Sequence, residues 1–197
     1  MLSREVGARQ VAATLLCAAL YCVGSLLTAF IPTFFFVQFR PAVAIPAIFA
    51  VLFGPFVGGL GAAIGTFIAS LIRYGTPLLT VFSGTPANFA GFWILGYVTW
   101  KLRRYRWTIA FVIGSVAGMA VGSLIIAGGL YVLAAAFGLS ALFRFLNPSY
   151  AVIASFTMVF APLPIAMAIA IPVVEACWRI FPYLKAEFFE ARARGDA

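Results

Sequence analysis

The sequence predicts an all-α membrane protein, a six-helix transmembrane bundle with both termini in the cytoplasm. Of its 197 residues, 64% are hydrophobic and 9% charged, and the mean hydropathy is +1.11. Soluble domains carry about a quarter charged residues, so a soluble fold of this chain would leave far too much apolar surface in water. The apolar runs are also continuous, as in Val11–Pro32 and Trp107–Phe137. Barrel strands are about ten residues long and alternate apolar with polar residues. Helices satisfy their backbone internally, so these runs cross hydrocarbon as helices.

The spans fall at about residues 10–31, 41–53, 56–73, 87–101, 107–136 and 149–181. Arg4 and Arg9 precede the first, which resembles a signal peptide in that respect. Its length and the lack of a small-x-small cleavage site predict a retained helix. The second and third spans form one apolar stretch broken at Gly54-Pro55. As one helix it would run about 48 Å at 1.5 Å per residue, against a hydrocarbon core of about 30 Å. Two short helices joined by a tight Gly-Pro turn fit better, and short or tilted helices are tolerated in a bundle.

Charge supports six spans. With the N-terminus inside, the cytoplasmic side holds Arg4, Arg9, Lys101, Arg103, Arg104, Arg106, Arg179, Lys185, Arg192 and Arg194, and the outside holds Arg40, Arg73 and Arg144. A five-span arrangement shows less positive-inside bias. The Lys101–Arg106 cluster reads as a topology anchor rather than a nucleic-acid patch, so no nucleic-acid partner is expected. Residues 1–182 form a single transmembrane domain, and 183–197 an amphipathic tail on the inner surface of the cytoplasmic membrane.

Histidine is absent, which removes the commonest metal ligand and general base. Cys17, Cys22 and Cys177 lie in apolar segments without zinc-ligand spacing and read as small buried residues. No metal or other cofactor is expected. Small residues recur every four positions on the third helix (Gly54, Gly58, Ala62; Gly61, Gly65, Ala69) and the fifth (Ala110, Gly114, Gly118, Gly122). Such faces pack helices within the chain or dock a second subunit. Pro46, Pro162, Pro164 and Pro172 interrupt helices, for packing or beside a cavity.

The outward side has three arginines and no acid. Arg40 follows Gln38 at the start of the second helix, and Arg73 closes the third, followed by Tyr74. Arg144 precedes Asn147. An arginine fork suits carboxylate or phosphate, although arginines at helix ends also snorkel to headgroups. Either way, a cationic ligand is disfavoured. Phe82–Asn88 is a polar break in which Asn88 either caps the fourth helix or offers its amide to a ligand. Trp93, Tyr97, Tyr131 and Tyr150 anchor at the interface or stack on a flat ligand.

The run Val37-Gln38-Phe39-Arg40-Pro41, the following helix with Pro46, Phe53-Gly54-Pro55, the Gly58–Gly65 helix and Thr85-Pro86-Ala87-Asn88 with Gly91 and Gly96 resemble one family. It is the substrate-binding S component of energy-coupling factor (ECF) transporters, which take up vitamins and related micronutrients. The resemblance covers residues 10–105 best. It implies a small-molecule solute site near the outer face, beneath the Pro32–Arg40 loop, with Phe34, Phe35 and Phe36 as a lid. The expected substrate-binding residues are Gln38, Arg40, Arg73, Tyr74, Asn88, Trp93, Asn147 and Tyr150. The resemblance also implies a transmembrane coupling subunit and ATPase subunits as partners, with Ala8, Ala12 and Ala18 on the first helix as the contact. Many members carry an acid near the end of the third helix, where this chain has Ser70.

No ATP-binding motif is present, so energy for transport would come from another chain. The reading is therefore a capture subunit for a small, anionic or neutral, vitamin-like solute. The alternatives are a scaffold that binds no ligand, and a membrane enzyme, which paired carboxylates within a span would favour and this sequence lacks.

Overall fold

The structure is a computed structural model that describes residues 7–28, 40–103, 106–138 and 140–190. Helix α1 spans Ala8–Leu27. A 3-10 turn, Pro41–Val43, leads into α2 (Ala44–Phe53), and α3 covers Pro55–Tyr74. A π-helical turn, Thr80–Gly84, runs directly into α4 (Thr85–Leu102). Helix α5 (Trp107–Phe137) is followed by a 3-10 segment, Ser140–Leu146, then α6 (Pro148–Phe160), α7 (Leu163–Ile180) and α8 (Pro182–Glu190). No strand occurs among the described residues. Among the described residues, four helical stretches are long and apolar enough to cross a membrane: Ala8–Leu27, Pro55–Tyr74, Trp107–Phe137 and Pro148–Ile180, and Pro41–Phe53 is a shorter apolar helix.

Two expectations are corrected by the backbone. The stretch expected as one sixth helix, 149–181, breaks at Ala161 and Pro162 into α6 and α7. The reason is chemical, because Pro162 and Pro164 offer no amide hydrogen to the carbonyls one turn earlier. The polar break expected at Phe82–Asn88 is helical instead, with the π turn absorbing the register change ahead of Pro86. Asn88 accordingly lies in the first turn of α4 and does not cap it.

The Gly-Pro turn between α2 and α3 forms as the sequence anticipates. Gly54 has φ of 108°, a conformation that disfavours any side chain, and Pro55 opens α3 with its φ already set. The small-residue faces pack within the chain. A β-carbon at Gly118 would collide with the Gly91 carbonyl oxygen, so α4 and α5 touch backbone to backbone there. Gly61 and Gly65 likewise accept Cys17 and the Ala18 carbonyl of α1.

One end of the bundle is closed by aromatic rings. Trp178 near the end of α7 packs edge-on against Trp107 at the start of α5 (4.9 Å) and meets Phe188 of α8 at 5.1 Å. Trp100 of α4 meets Phe188 at 5.2 Å and donates its indole N–H to the Ala50 and Val51 carbonyls of α2 (3.1 Å each). Arg9 of α1 lies over Phe53 and Tyr183 and donates to Glu187 at 3.0 Å. Thus α8 folds back under the start of α1 and α5 and the ends of α2, α4 and α7. Arg103, just past α4, sits over Trp100 and Phe188, and burial lowers its pKa from the ordinary value.

Candidate functional site

Away from the aromatic base, a cavity of about 60 Å³ opens between α1, the start of α2, α4, α5 and the α6–α7 break. Tyr21 projects from α1, where it is the single aromatic residue and is 1% exposed. Its hydroxyl donates to Oδ1 of Asn88 at 3.3 Å, while Nδ2 of Asn88 donates to the Gly84 carbonyl at 2.8 Å. The π turn therefore fixes one end of the Asn88 amide and Tyr21 the other. Arg40, half-buried, enters at the start of the 3-10 turn before α2. Gly91 and Gly122 supply a flat wall where α4 and α5 touch, and Phe92, Met119, Met158 and Pro162 complete an otherwise apolar lining.

This geometry brings together two of the expected substrate-binding residues, Arg40 and Asn88. Arg73 and Tyr74 form a separate exposed pair at the end of α3, guanidinium over ring at 5.1 Å. Trp93 lies against α3 and is not on the cavity; it stacks on Tyr97 (5.4 Å, 10° between planes) and meets Phe56 edge-on. Asn147 caps α6, its Oδ1 accepting from the amides of Ser149 (3.1 Å) and Tyr150 (3.4 Å), and Tyr150 packs on Phe145. Gln38 and the Phe34–Phe36 lid lie outside the described residues. On α1, Ala8 and Ala12 are exposed, whereas Ala18 is buried against α3.

The residues that sequence reasoning missed are chiefly Tyr21, Phe92 and the methionines. Their signal was available in part: Met119, Met158 and Met167 are all of the chain's methionines besides Met1, and each lines this cavity or a smaller one adjoining it. No group of three or more His, Cys, Asp or Glu stands together among the described residues. The site therefore offers aromatic faces, an amide, a hydroxyl and a guanidinium around an apolar hollow, which suits recognition of a flat, partly polar molecule.

Long apolar helices gathered around such a hollow define a multi-pass membrane protein of helical build. Residues 6–174 match the family described as ECF-type riboflavin transporter, S component, and the chain belongs to that family. It is a substrate-binding subunit of a vitamin transporter, not an enzyme. No curated protein and no solved structure matches the chain.

Proposed function

We propose that this chain captures riboflavin at the outer face of the cytoplasmic membrane and hands it to a coupling subunit powered by separate ATPases. The observation that carries this reading is the family match over residues 6–174, coinciding with a cavity whose polar groups are Tyr21, Asn88 and Arg40. Riboflavin is neutral and flat, with carbonyl oxygens and ring nitrogens at its edge. The second N–H of the Asn88 amide and the Arg40 guanidinium supply donors for those acceptors, the Tyr21 phenolic oxygen, whose proton goes to Asn88, accepts, and Phe92 and Tyr21 supply apolar faces for the ring. Ligand pockets usually measure about 300–1,000 Å³. The cavity of about 60 Å³ must therefore widen around its ligand.

In this reading α1, α2, α3, α4, α5 and the broken α6–α7 pair make six crossings, with residues 183–197 as an inner-surface tail. The distribution of charge supports the orientation. Arg9, Lys101, Arg103, Arg106, Arg179 and Lys185 belong to the aromatic end, and Arg40, Arg73 and Arg144 to the other. The cavity then faces outward and α8 inward. Ala8 and Ala12, both exposed near the inner end of α1, are the proposed contact with the coupling subunit, and Ala18 belongs to the internal packing.

Titration of riboflavin with the detergent-purified protein tests the reading, because the flavin's fluorescence is quenched on burial against aromatic rings. Saturable quenching, accompanied by a rise in melting temperature through mass action, is the expected result. A protein that neither quenches nor is stabilised by riboflavin refutes riboflavin as the substrate.

A further inference from the structure

The hydrogen bonds at Tyr21 and Asn88 run in one direction only. Nδ2 of Asn88 stands 2.8 Å from the Gly84 carbonyl, and a backbone carbonyl only accepts, so the amide cannot be turned round. Its Oδ1 therefore faces Tyr21. An amide oxygen also only accepts, so the phenol gives its proton across the 3.3 Å between them. Gly84 itself is closely packed, because a β-carbon there would meet the Thr80 hydroxyl at 2.7 Å and the Thr66 methyl at 3.4 Å.

Two bonding positions are left over. The Asn88 amide keeps a second N–H, and the Tyr21 oxygen, its proton already given, keeps its lone pairs. Both residues line the main cavity, and the two bonds above are their side-chain hydrogen bonds among the described residues. A donor and an acceptor thus stand side by side on a wall that Gly91, Phe92 and Met119 continue. Arg40, the third polar residue of the lining, donates only. The polar groups also differ in depth. Gly24 of α1 packs on Ala42 and Ile45, which sets Arg40 near the end of α1, whereas Tyr21 lies about one turn from Gly24 toward the aromatic base.

We propose that the Tyr21–Asn88 pair reads a lactam or imide edge, a ring N–H beside a carbonyl, and that this edge of the ligand enters first. The ring N–H donates to the Tyr21 oxygen, the adjoining carbonyl accepts from Asn88, and the rest of the ligand points toward Arg40. Riboflavin carries such an edge, so the inference rests on the capture reading above and deepens it, naming the recognised edge and the ligand's orientation. A flat ring with carbonyls but no N–H between them leaves the Tyr21 oxygen unmatched and is selected against. Arg40 imposes no such demand, since a guanidinium asks only for acceptors.

The test compares riboflavin with riboflavin methylated at its imide nitrogen, a change that removes the ring N–H and keeps the flat ring. The unaltered protein in detergent should bind the methylated compound roughly fivefold more weakly or worse, the range of one neutral hydrogen bond. Tyr21→Phe has no acceptor to lose, so it should bind riboflavin more weakly than the unaltered protein and distinguish the two compounds by no more than about twofold. Its melting temperature, read alongside, checks that the variant is folded. Equal affinity of the unaltered protein for both compounds overturns the inference. So does an undiminished gap in Tyr21→Phe, which would put the imide edge elsewhere in the cavity. Either result spares the capture reading. Failure of the unaltered protein to bind riboflavin overturns both.

Discussion

The Tyr21–Asn88 pair offers the sharpest check on the site, because its two members are held unequally. Asn88 has two anchors, Nδ2 on the Gly84 carbonyl at 2.8 Å and Oδ1 receiving the Tyr21 hydroxyl at 3.3 Å. Tyr21→Phe removes only the long, weak bond and leaves the ring in place against Phe92, 6.3 Å away and edge-on. It should cost about 0.5–1 kcal/mol of stability. Asn88→Ala removes both bonds and strands the phenolic hydroxyl of a residue that is 1% exposed. About 1–3 kcal/mol is expected, most of it the penalty for a buried donor without a partner. Once Tyr21 is already Phe, no donor remains to be stranded, so the double variant should cost less than the sum of the two singles by about 1 kcal/mol. Thermal unfolding in detergent reads the four corners of this cycle, and riboflavin titration reads them again for affinity. Asn88→Ala should weaken binding at least tenfold, and Tyr21→Phe less. Strictly additive stabilities, or an Asn88→Ala protein that binds as well as the unaltered one, would refute the assignment of this pair to the site.

Arg40→Ala should weaken riboflavin binding severalfold because Arg40 lines the cavity, whereas Arg73→Ala, on an exposed residue paired with Tyr74, should leave affinity unchanged in the same titration. At the aromatic end, Phe188→Ala should cost about 3–5 kcal/mol by opening a hole among Trp100, Trp178 and Phe189, and Glu187→Gln no more than about 1 kcal/mol. Proteolysis of α8 in the folded protein should accelerate only in the first of these two variants; if the ion pair proves the stronger tether, packing does not hold α8.

Much of the helical framework was legible because membrane helices are written in long apolar runs and glycine punctuation. Gly54-Pro55 announced its turn, since a residue at φ 108° followed by a proline leaves few alternatives. Arg40 was legible as a charge at a helix start, and Asn88 as an amide in an otherwise apolar stretch. Tyr21 was not, because within a span one aromatic ring has the same hydropathic signature whether it faces lipid or a cavity. Trp93 shows the converse: its ring suggested a ligand platform, yet Tyr97 stacks on it and Phe56 meets it edge-on, away from the cavity. Asn147 was read for its amide, which its own helix uses as a cap. Local hydrogen bonding and intrachain stacking consume polar and aromatic groups before a ligand can, and only three-dimensional proximity reveals which remain.

Three irregular segments of backbone meet at the cavity. The π turn Thr80–Gly84 delivers Ala87 and Asn88 to it, the 3-10 turn at Pro41–Val43 delivers Arg40 and Val43, and the α6–α7 break delivers Met158, Val159 and Pro162. In a bilayer, departures from α-helix are tolerated only where protein or a cavity can satisfy the freed backbone groups, so their meeting at one place is not an accident of packing. The opposite end carries the aromatic cluster and an indole bound to two carbonyls of α2. Backbone contact at Gly91 and Gly118 ties α4 to α5 between the two ends. A bundle clamped at one end and irregular at the other deforms where the irregularities are. The methionines sit beside those irregularities, so the small hollow can widen around a flat ligand without disturbing the base on which α8 and the exposed end of α1 lie.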